Sequence, residues 1–189
     1  KDDRYDHTQV HDVDKDQRGW DAVCEQLKSS NITSFTAADI GMGPVALRTL
    51  ATSLPAAVTW ISVLSNPIGD GADALIEIFE KNDKIQTLLG LEEGVQVLDL
   101  SNKQMDPGQA KILAAEIRLR RFTAGVARLI LDGNNLVGNQ RMRDVDTDLT
   151  GVTALFDTLK TSSVTELGLA KCRLGPGSLG KLAEYVREA

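Results

Sequence analysis

The sequence predicts an α/β solenoid, in which a right-handed, curved parallel sheet carries its helices on the convex side. A short phrase of alternating apolar residues recurs five times along the chain. Each copy is followed by a stretch in which apolar residues recur at helical spacing. A single strand–turn–helix unit cannot bury its apolar face alone, whereas stacked units can. The recurrence therefore predicts an array of five or six coils.

The recurring phrase has the form L-x-x-L-x-L-x-x-N-x-L. It is clearest in "LDLSNKQM" at 98–105, "LILDGNNL" at 129–136 and "LGLAKCRL" at 167–174. The alternation at the start of each phrase is typical of a short strand with one buried face. Parallel strands are predicted near 32–37, 58–64, 95–100, 126–131 and 164–169, so that the repeats start near 32, 58, 95, 126 and 164.

The asparagine position of the phrase predicts a turn after each strand. Asn66 and Asn134 occupy it, and their side chains are expected to hydrogen-bond the backbone of the adjoining coil. Ile40, Lys103 and Cys172 replace the asparagine in the other copies. Cysteine is a regular occupant of this position, whereas isoleucine and lysine are departures.

Helices are predicted after each phrase. Pro44, Pro107 and Pro176 stand where three of them begin, which suits the first helical turn. A segment without its own helix, "IQTLLGLEEG" at 85–94, interrupts the regular spacing, and the sequence leaves open whether 85–89 is an extra strand or a loop. The helical apolar positions are Leu47, Leu50 and Leu54; Leu75, Ile78 and Phe79; Ile112, Leu113 and Ile117; Leu155, Phe156 and Leu159; and Leu179, Leu182 and Val186.

Phrase and helix together resemble the leucine-rich repeats of the ribonuclease-inhibitor-like subfamily, from about residue 20 to residue 189. The resemblance implies a single repeat domain over 20–189, preceded by a loop or frayed segment over 1–19. It also implies that partners bind the concave strand face and the adjoining loops. A GTPase-activating branch of the family is an enzyme-related alternative, for which the sequence carries no matching motif.

A longer period of 132 residues is superimposed on the phrases. Residues 12–54 align without a gap to residues 144–186, and 16 of the 43 aligned positions are identical. Gly43-Pro44 aligns with Gly175-Pro176. The natural unit is therefore a cassette of several repeats, and the sequence is interpreted as a fragment of a longer repeat array.

Two aspartate triplets also align across this period, and they raise the question of a calcium site. An EF-hand loop needs a glutamate at its twelfth position, where the two segments have Val23 and Leu155 instead. The favoured interpretation is a solvated acidic loop, with Asp16 or Asp148 near a helix N-terminus. No metal or other cofactor is expected, and calcium remains the alternative. The candidate ligands in that case are Asp12, Asp14, Asp16, Asp144, Asp146 and Asp148.

Composition and charge narrow the class of protein. The 189 residues carry a net charge of −6 without basic clusters, which argues against nucleic acid and anionic lipid as partners. No apolar run reaches 18 residues, so no membrane span is expected. Cys24 and Cys172 are expected to be reduced, buried thiols of a cytoplasmic protein. His7 and His11 lie close together near residue 1, and nothing assembles an acid, a base and a nucleophile, so an enzyme is not expected.

The outward positions of the strands define the candidate binding face. Trp60 is interpreted as an anchor there; the competing interpretation is that it covers the seam between coils or packs under 85–94. The sequence predicts a non-catalytic scaffold that binds another protein, through this concave face and the inserted loops. The alternatives are a calcium-responsive or adhesion-type surface module and a structural spacer. The candidate contact residues are Trp60, Ser62, Leu64, Val97, Asp99, Arg128, Ile130 and Asp132.

Overall fold

The computed structural model describes residues 13–139, 141 and 144–188. In this part of the chain, six α-helices, five strands and one 3-10 helix, Gly69–Gly71, form a small α/β domain. The helices are α1 (Arg18–Lys28), α2 (Pro44–Ala51), α3 (Ala72–Lys81), α4 (Pro107–Leu119), α5 (Thr150–Leu159) and α6 (Pro176–Glu188). The strands are β1 (Ser34–Thr36), β2 (Trp60–Ser62), β3 (Val97–Asp99), β4 (Arg128–Ile130) and β5 (Glu166–Gly168).

The strands lie inside the predicted ranges, and they pair in parallel. Phe35 is in register with Ile61 in the pair β1–β2. Leu98, Leu129 and Leu167 are in register across β3, β4 and β5. Each of these central residues points towards the helices, and Ile61 and Leu129 are completely buried. The prediction of short parallel strands with one apolar face is confirmed.

The strands nevertheless do not form the single curved sheet that the sequence predicts. β1 and β2 form one sheet of two strands, and β3, β4 and β5 form another of three. The prediction of a right-handed solenoid with one continuous sheet is therefore wrong. Between the two sheets, Thr87 makes an isolated parallel bridge to Trp60, and Leu89 makes an antiparallel one to Ser62. Segment 85–89 is thus a pair of bridges and not a complete strand.

A buried carboxylate explains why the first sheet stops at this segment. The amides of Leu88 and Leu89 donate to Glu116 Oε1 at 2.7 and 2.8 Å, where a further strand would offer carbonyl oxygens. Thr87 Oγ1 lies 3.1 Å from both carboxylate oxygens. Buried backbone amides need an acceptor. Glu116 therefore accepts the hydrogen bonds of two amides that are not paired with β3. β3 then begins a separate sheet.

Helix α4 spans the break between the sheets. It packs against α3 on one side and α5 on the other. Most of its residues are buried, including Leu113 and Ile117, and Glu116 lies between these and the segment 85–89. One apolar core runs behind both sheets, with Phe79 and Phe156 among its largest side chains. The helix layer is therefore continuous where the sheet layer is not.

The predicted role of the asparagine position is confirmed. Asn134 Nδ2 donates to the carbonyl oxygens of Leu100 and Leu131, both at 2.8 Å. Its Oδ1 accepts from the amides of Lys103 and Met105, both at 3.0 Å. Asn66 makes the equivalent contacts one sheet earlier, with the amides of Ile40 and Met42 and the carbonyl oxygens of Ala37 and Val63. These side chains join neighbouring turns where the strands end.

Cysteine replaces asparagine in the last turn and keeps part of its bonding. Cys172 Sγ lies 3.1 Å from the carbonyl oxygen of Leu131, so the thiol donates where an amide would. Cys24 and Cys172 are both buried, as predicted, and both are free thiols. Within the residues described, no helix has the length and apolar character to cross a membrane.

Candidate functional site

The predicted binding residues are divided between the two sheets. Trp60, Ser62 and the following Leu64 belong to the first sheet, and Val97 and Arg128 to the second. The bridging segment 85–89 occupies the edge of β2 that would otherwise meet β3. The alignment of phrases predicts that Trp60 and Val97 are neighbours on one surface, and this prediction is wrong.

The segment 85–94 covers the first-sheet part of the predicted face. A Cβ added at Gly90 would lie 2.9 Å from Trp60 Cη2 and 2.8 Å from Ser62 Oγ. Trp60 is half-buried, and Ser62 is buried and donates to the carbonyl oxygen of Leu89. Only glycine allows this approach, and its φ of +72° is also one that other residues rarely adopt. The ring of Trp60 therefore packs against the backbone of this segment.

The second sheet presents an open face. Val97 is 54% exposed, and Ile130, on the neighbouring strand, is half-buried. Arg128 is in register with Val97 on one side and with Glu166 on the other. Its Nε lies 3.4 Å from Glu166 Oε2, in an exposed pair that adds little stability. The two apolar side chains of this face, Val97 on the edge strand β3 and Ile130 on the central strand β4, thus lie among charged ones.

Two aspartates of this face are held by the turns that follow their strands. The Asp99 carboxylate accepts from the Ser101 amide at 2.9 Å, and Asp132 accepts from the Ala170 amide at 2.9 Å. Hydrogen bonds from the Ser101 side chain and backbone lower the pKa of Asp99, with smaller effects of Lys103 and Arg128. Asp99 is therefore ionised over the whole range near neutral pH.

Glu166 and Gly168 complete this face, although they are not among the predicted contact residues. A cavity of about 140 Å³ is lined by these two residues together with Arg128, Ile130 and Asp132. It exists because Gly168 has no side chain: a Cβ there would lie 2.9 Å from Asp132 Oδ1 and 3.2 Å from Ile130 Cγ2. The register of Glu166 with Arg128 is the sequence signal that identifies it.

The aspartate triplets have a structural use. The second member of each triplet reaches the N-terminus of a helix about thirty residues further along the chain. Asp14 accepts from the amides of Val45 and Ala46, at 2.7 and 3.1 Å, at the start of α2. Asp146 accepts from the Gly177 amide at 2.7 Å and from Ser178 Oγ at 2.6 Å, at the start of α6. Both carboxylates satisfy amides that a helix leaves unpaired at its first turn.

The glycine that aligns across the 132-residue period makes this contact possible. A Cβ at Gly43 would lie 2.4 Å from Asp14 Oδ2, and one at Gly175 would lie 2.6 Å from Asp146 Oδ2. Pro44 and Pro176 then begin the two helices, where a missing amide hydrogen costs nothing. Asp-x-Asp and Gly-Pro are therefore two halves of one capping arrangement, present twice.

The other members of the triplets also serve local backbone. Asp16 accepts from the amide of Arg18, and Asp148 from that of Thr150, at the first residues of α1 and α5. The prediction that these two lie at helix N-termini is confirmed. Asp144 accepts from the amide of Arg141 at 2.7 Å, and Asp12 lies outside the described residues. No group of three or more metal-ligating side chains is found in the parts of the chain that the structure describes.

Replacing Asp146 by alanine is expected to lower the free energy of unfolding by about 1–2 kcal/mol, the range for a lost helix cap. The carboxylate is partly desolvated, but its hydrogen bonds from Ser178, Gly175 and Gly177 outweigh that effect and lower its pKa. Because the folded pKa is depressed, this stabilisation is present above the ordinary pKa and is lost as pH falls through the folded value.

Urea unfolding at pH 7 and at pH 3 measures this effect. The matched control is Asp144→Ala, which removes an aspartate of the same triplet whose side chain, among the residues described, accepts from the nearby amide of Arg141 alone. Asp146→Ala should be the more destabilising of the two at pH 7, and the difference between them should shrink at pH 3. Equal losses for both variants at pH 7 would contradict the capping role.

Comparisons with known proteins find similarity to solved structures. No protein-family model matches the chain, and no curated protein matches it. The chain is similar to the solved structure of the tropomodulin C-terminal domain of Caenorhabditis elegans, with 13% sequence identity over 92% of each chain and a TM-score of 0.40. The division into two sheets departs from the continuous sheet that the ribonuclease-inhibitor-like resemblance implies, so the predicted membership of that subfamily is wrong.

Proposed function

We propose that the chain is a non-catalytic protein-binding module, and that its contact surface is the outward face of β3, β4 and β5. The observation that carries the proposal is an apolar pair on adjacent strands, in which Val97 is exposed and Ile130 is half-buried. Interfaces between proteins commonly place apolar side chains at the centre and charged ones at the rim. Here the charged side chains around Ile130 and Val97, called the rim below, are Arg128 and the three carboxylates of Asp99, Asp132 and Glu166.

The charge of this rim favours a particular kind of partner. Three carboxylates and one guanidinium give a net charge of −2, and Arg128 already has Glu166 as its ion-pair partner. A protein segment that places a basic side chain beside an apolar one therefore complements the face. Such charge complementarity contributes mainly to partner choice and association rate, whereas the apolar centre contributes to affinity.

Peptide display against the whole protein tests this proposal. A library of random peptides is selected on the immobilised chain, and dissociation constants of the enriched peptides are measured for variants. Val97→Asp should weaken binding at least tenfold, because it replaces the most exposed apolar side chain of the face by a charge. Arg128→Ala should change affinity less and mainly alter its salt dependence.

The matched control is Val186→Asp, which introduces the same charge at another exposed valine, in α6, with 67% exposure. Both substitutions are at exposed sites and should leave stability within about 0.5 kcal/mol. Binding that survives Val97→Asp but is lost in Val186→Asp would place the contact surface elsewhere and refute the proposal.

A further inference from the structure

An apolar groove lies at the end of the domain formed by α1 and β1. It has a volume of about 440 Å³ and almost entirely apolar walls. Val23 of α1 and Ile32, which precedes β1, line it and are 46% and 40% exposed. The other lining residues are Ala22, Gln26, Leu27, Ser30 and Phe35.

The 132-residue period provides a covered copy of the same groove. Val23 aligns with Leu155 and Ile32 with Val164, which are 0% and 8% exposed. The difference arises because α4 packs against α5, and β4 pairs with β5, on the side that is open at α1 and β1. The chain itself therefore shows what kind of structure fits this surface.

The backbone beside the groove differs from its aligned copy in the same way as the side chains do. The amides of Thr165 and Glu166 both donate to the carbonyl oxygen of Ala127, at 2.8 and 3.0 Å. The aligned amides are those of Thr33 and Ser34. Within the described residues they have no acceptor, since β2 is bonded through the other side of β1. The open edge thus offers two hydrogen-bond donors directly beside the apolar groove.

The elements that cover the aligned copy, α4 and β4, indicate which kind of structure fits the groove. α4 is rich in small and aliphatic residues, among them Ala110, Leu113, Ala114 and Ile117, all of them buried. Val126 is buried as the chain enters β4, and Ala127 supplies the accepting carbonyl oxygen. A helix with an alanine–leucine–isoleucine face followed by a short parallel strand would therefore satisfy the groove and the open edge together.

We propose that this groove is a docking site for such a helix–strand unit, of the α4–β4 kind, presented by a partner protein. The unit packs its helix against Val23 and Leu27 of α1, and its strand adds in parallel to the free edge of β1. This surface is separate from the outward face of β3, β4 and β5, so it is a second place of contact.

A fusion protein tests the proposal at high effective concentration. A second copy of residues 104–132 is added directly before residue 1 of the whole chain, which places it at the same 132-residue offset from α1 and β1 as the original has from α5 and β5. Amide hydrogen exchange is measured at Thr33 and Ser34. Docking should slow exchange at both amides at least tenfold and raise the melting temperature. Val23→Asp in the fusion protein should abolish both effects.

The control keeps the added segment but replaces the copies of Leu113 and Ile117 in it by aspartate. Unchanged exchange at Thr33 and Ser34 in the fusion protein would refute the proposal. Slowed exchange that persists in the Val23→Asp variant, or in the control with aspartates in the added segment, would also refute it. Concentration-dependent dimers of the unfused chain that protect the same amides would assign the groove to a second copy instead. If the fusion protein does not fold, the separate peptide 104–132 should shift the signals of Val23 and Ile32 in the unfused chain; unshifted signals would refute docking.

Discussion

Replacing Glu116 by alanine should lower the free energy of unfolding by about 3 kcal/mol or more. The carboxylate is buried, and it accepts from the amides of Leu88 and Leu89 and from the hydroxyl of Thr87. Alanine leaves these three donors without an acceptor, and each buried unsatisfied donor costs about 1–3 kcal/mol. Urea unfolding at pH 5, where the effect of charge is small, measures the loss.

The same residue should make stability depend on pH. Burial raises the pKa of Glu116 to about 7, against the opposing effects of its hydrogen bonds from Leu88, Leu89 and Thr87 and of Arg121. Because the folded pKa is raised, the protonated form is favoured: its stabilisation is fully present below the ordinary pKa of 4.5 and is lost as pH rises through 7. A shift of this size corresponds to a loss of about 3 kcal/mol between pH 4.5 and pH 8.

Glu116→Gln is the variant that isolates this charge. Its amide oxygen can accept from Leu88 and Leu89, and its amino group can donate to Thr87, without any titration. The variant should match the wild-type protein at pH 5 and exceed its stability at pH 8. Parallel stability curves for the two proteins over this range would show that Glu116 does not titrate near neutral pH.

Replacing Asn134 by alanine is the second change with a large expected effect. Four hydrogen bonds are lost, two to carbonyl oxygens and two from amides, and all of them are buried except the part-buried one from the Lys103 amide. The free energy of unfolding should fall by about 3–4 kcal/mol, since unsatisfied buried groups dominate the cost. Thermal or urea unfolding measures it.

The chain provides its own control for this position. Cys172 occupies the corresponding place in the next turn and donates to the carbonyl oxygen of Leu131. Asn134→Cys keeps a weak donor but offers no good acceptor to the amides of Lys103 and Met105, so its cost should lie between zero and that of alanine. Asn66→Ala should behave like Asn134→Ala, and a loss below about 1 kcal/mol in both would contradict the bridging role.

Local patterns in the sequence were sufficient to locate the strands and several helix starts. Alternating apolar residues place β1 to β5, because a strand buries every second side chain. Pro44, Pro107 and Pro176 each begin a helix, because the first helical turn does not use the missing amide hydrogen. The bonding of Asn66 and Asn134 was likewise predictable from their position after a strand.

The division of the sheet could not be predicted in the same way. Glu116 is one charged residue in an apolar helical pattern, and on sequence alone it is indistinguishable from a solvent-facing position. Only packing places it opposite the amides of Leu88 and Leu89. The packing of Trp60 has the same cause, since the segment that ends at Gly90 lies where a regular strand was expected.

The capping aspartates could be predicted from the sequence only in part. A carboxylate near the start of the next helix is a local signal, and it located Asp16 and Asp148 correctly. Asp14 and Asp146 act on helices some thirty residues away, which no local pattern reveals. The alignment of Gly-Pro with the triplets across the 132-residue period was the available signal, and only the close approach of Gly43 and Gly175 explains it.

Within each of the two sheets, every strand pairs with the next one in the sequence, and this has a consequence for how the chain assembles during synthesis. β1 can pair with β2 as soon as 26 further residues have been made, because no strand from the far end is needed. The edge formed by Leu88 and Leu89 is different, since its acceptor, Glu116, is made 28 residues later than Leu88. Until α4 emerges, a nascent chain carries an open strand edge at this point, the kind of surface on which incomplete proteins associate with one another.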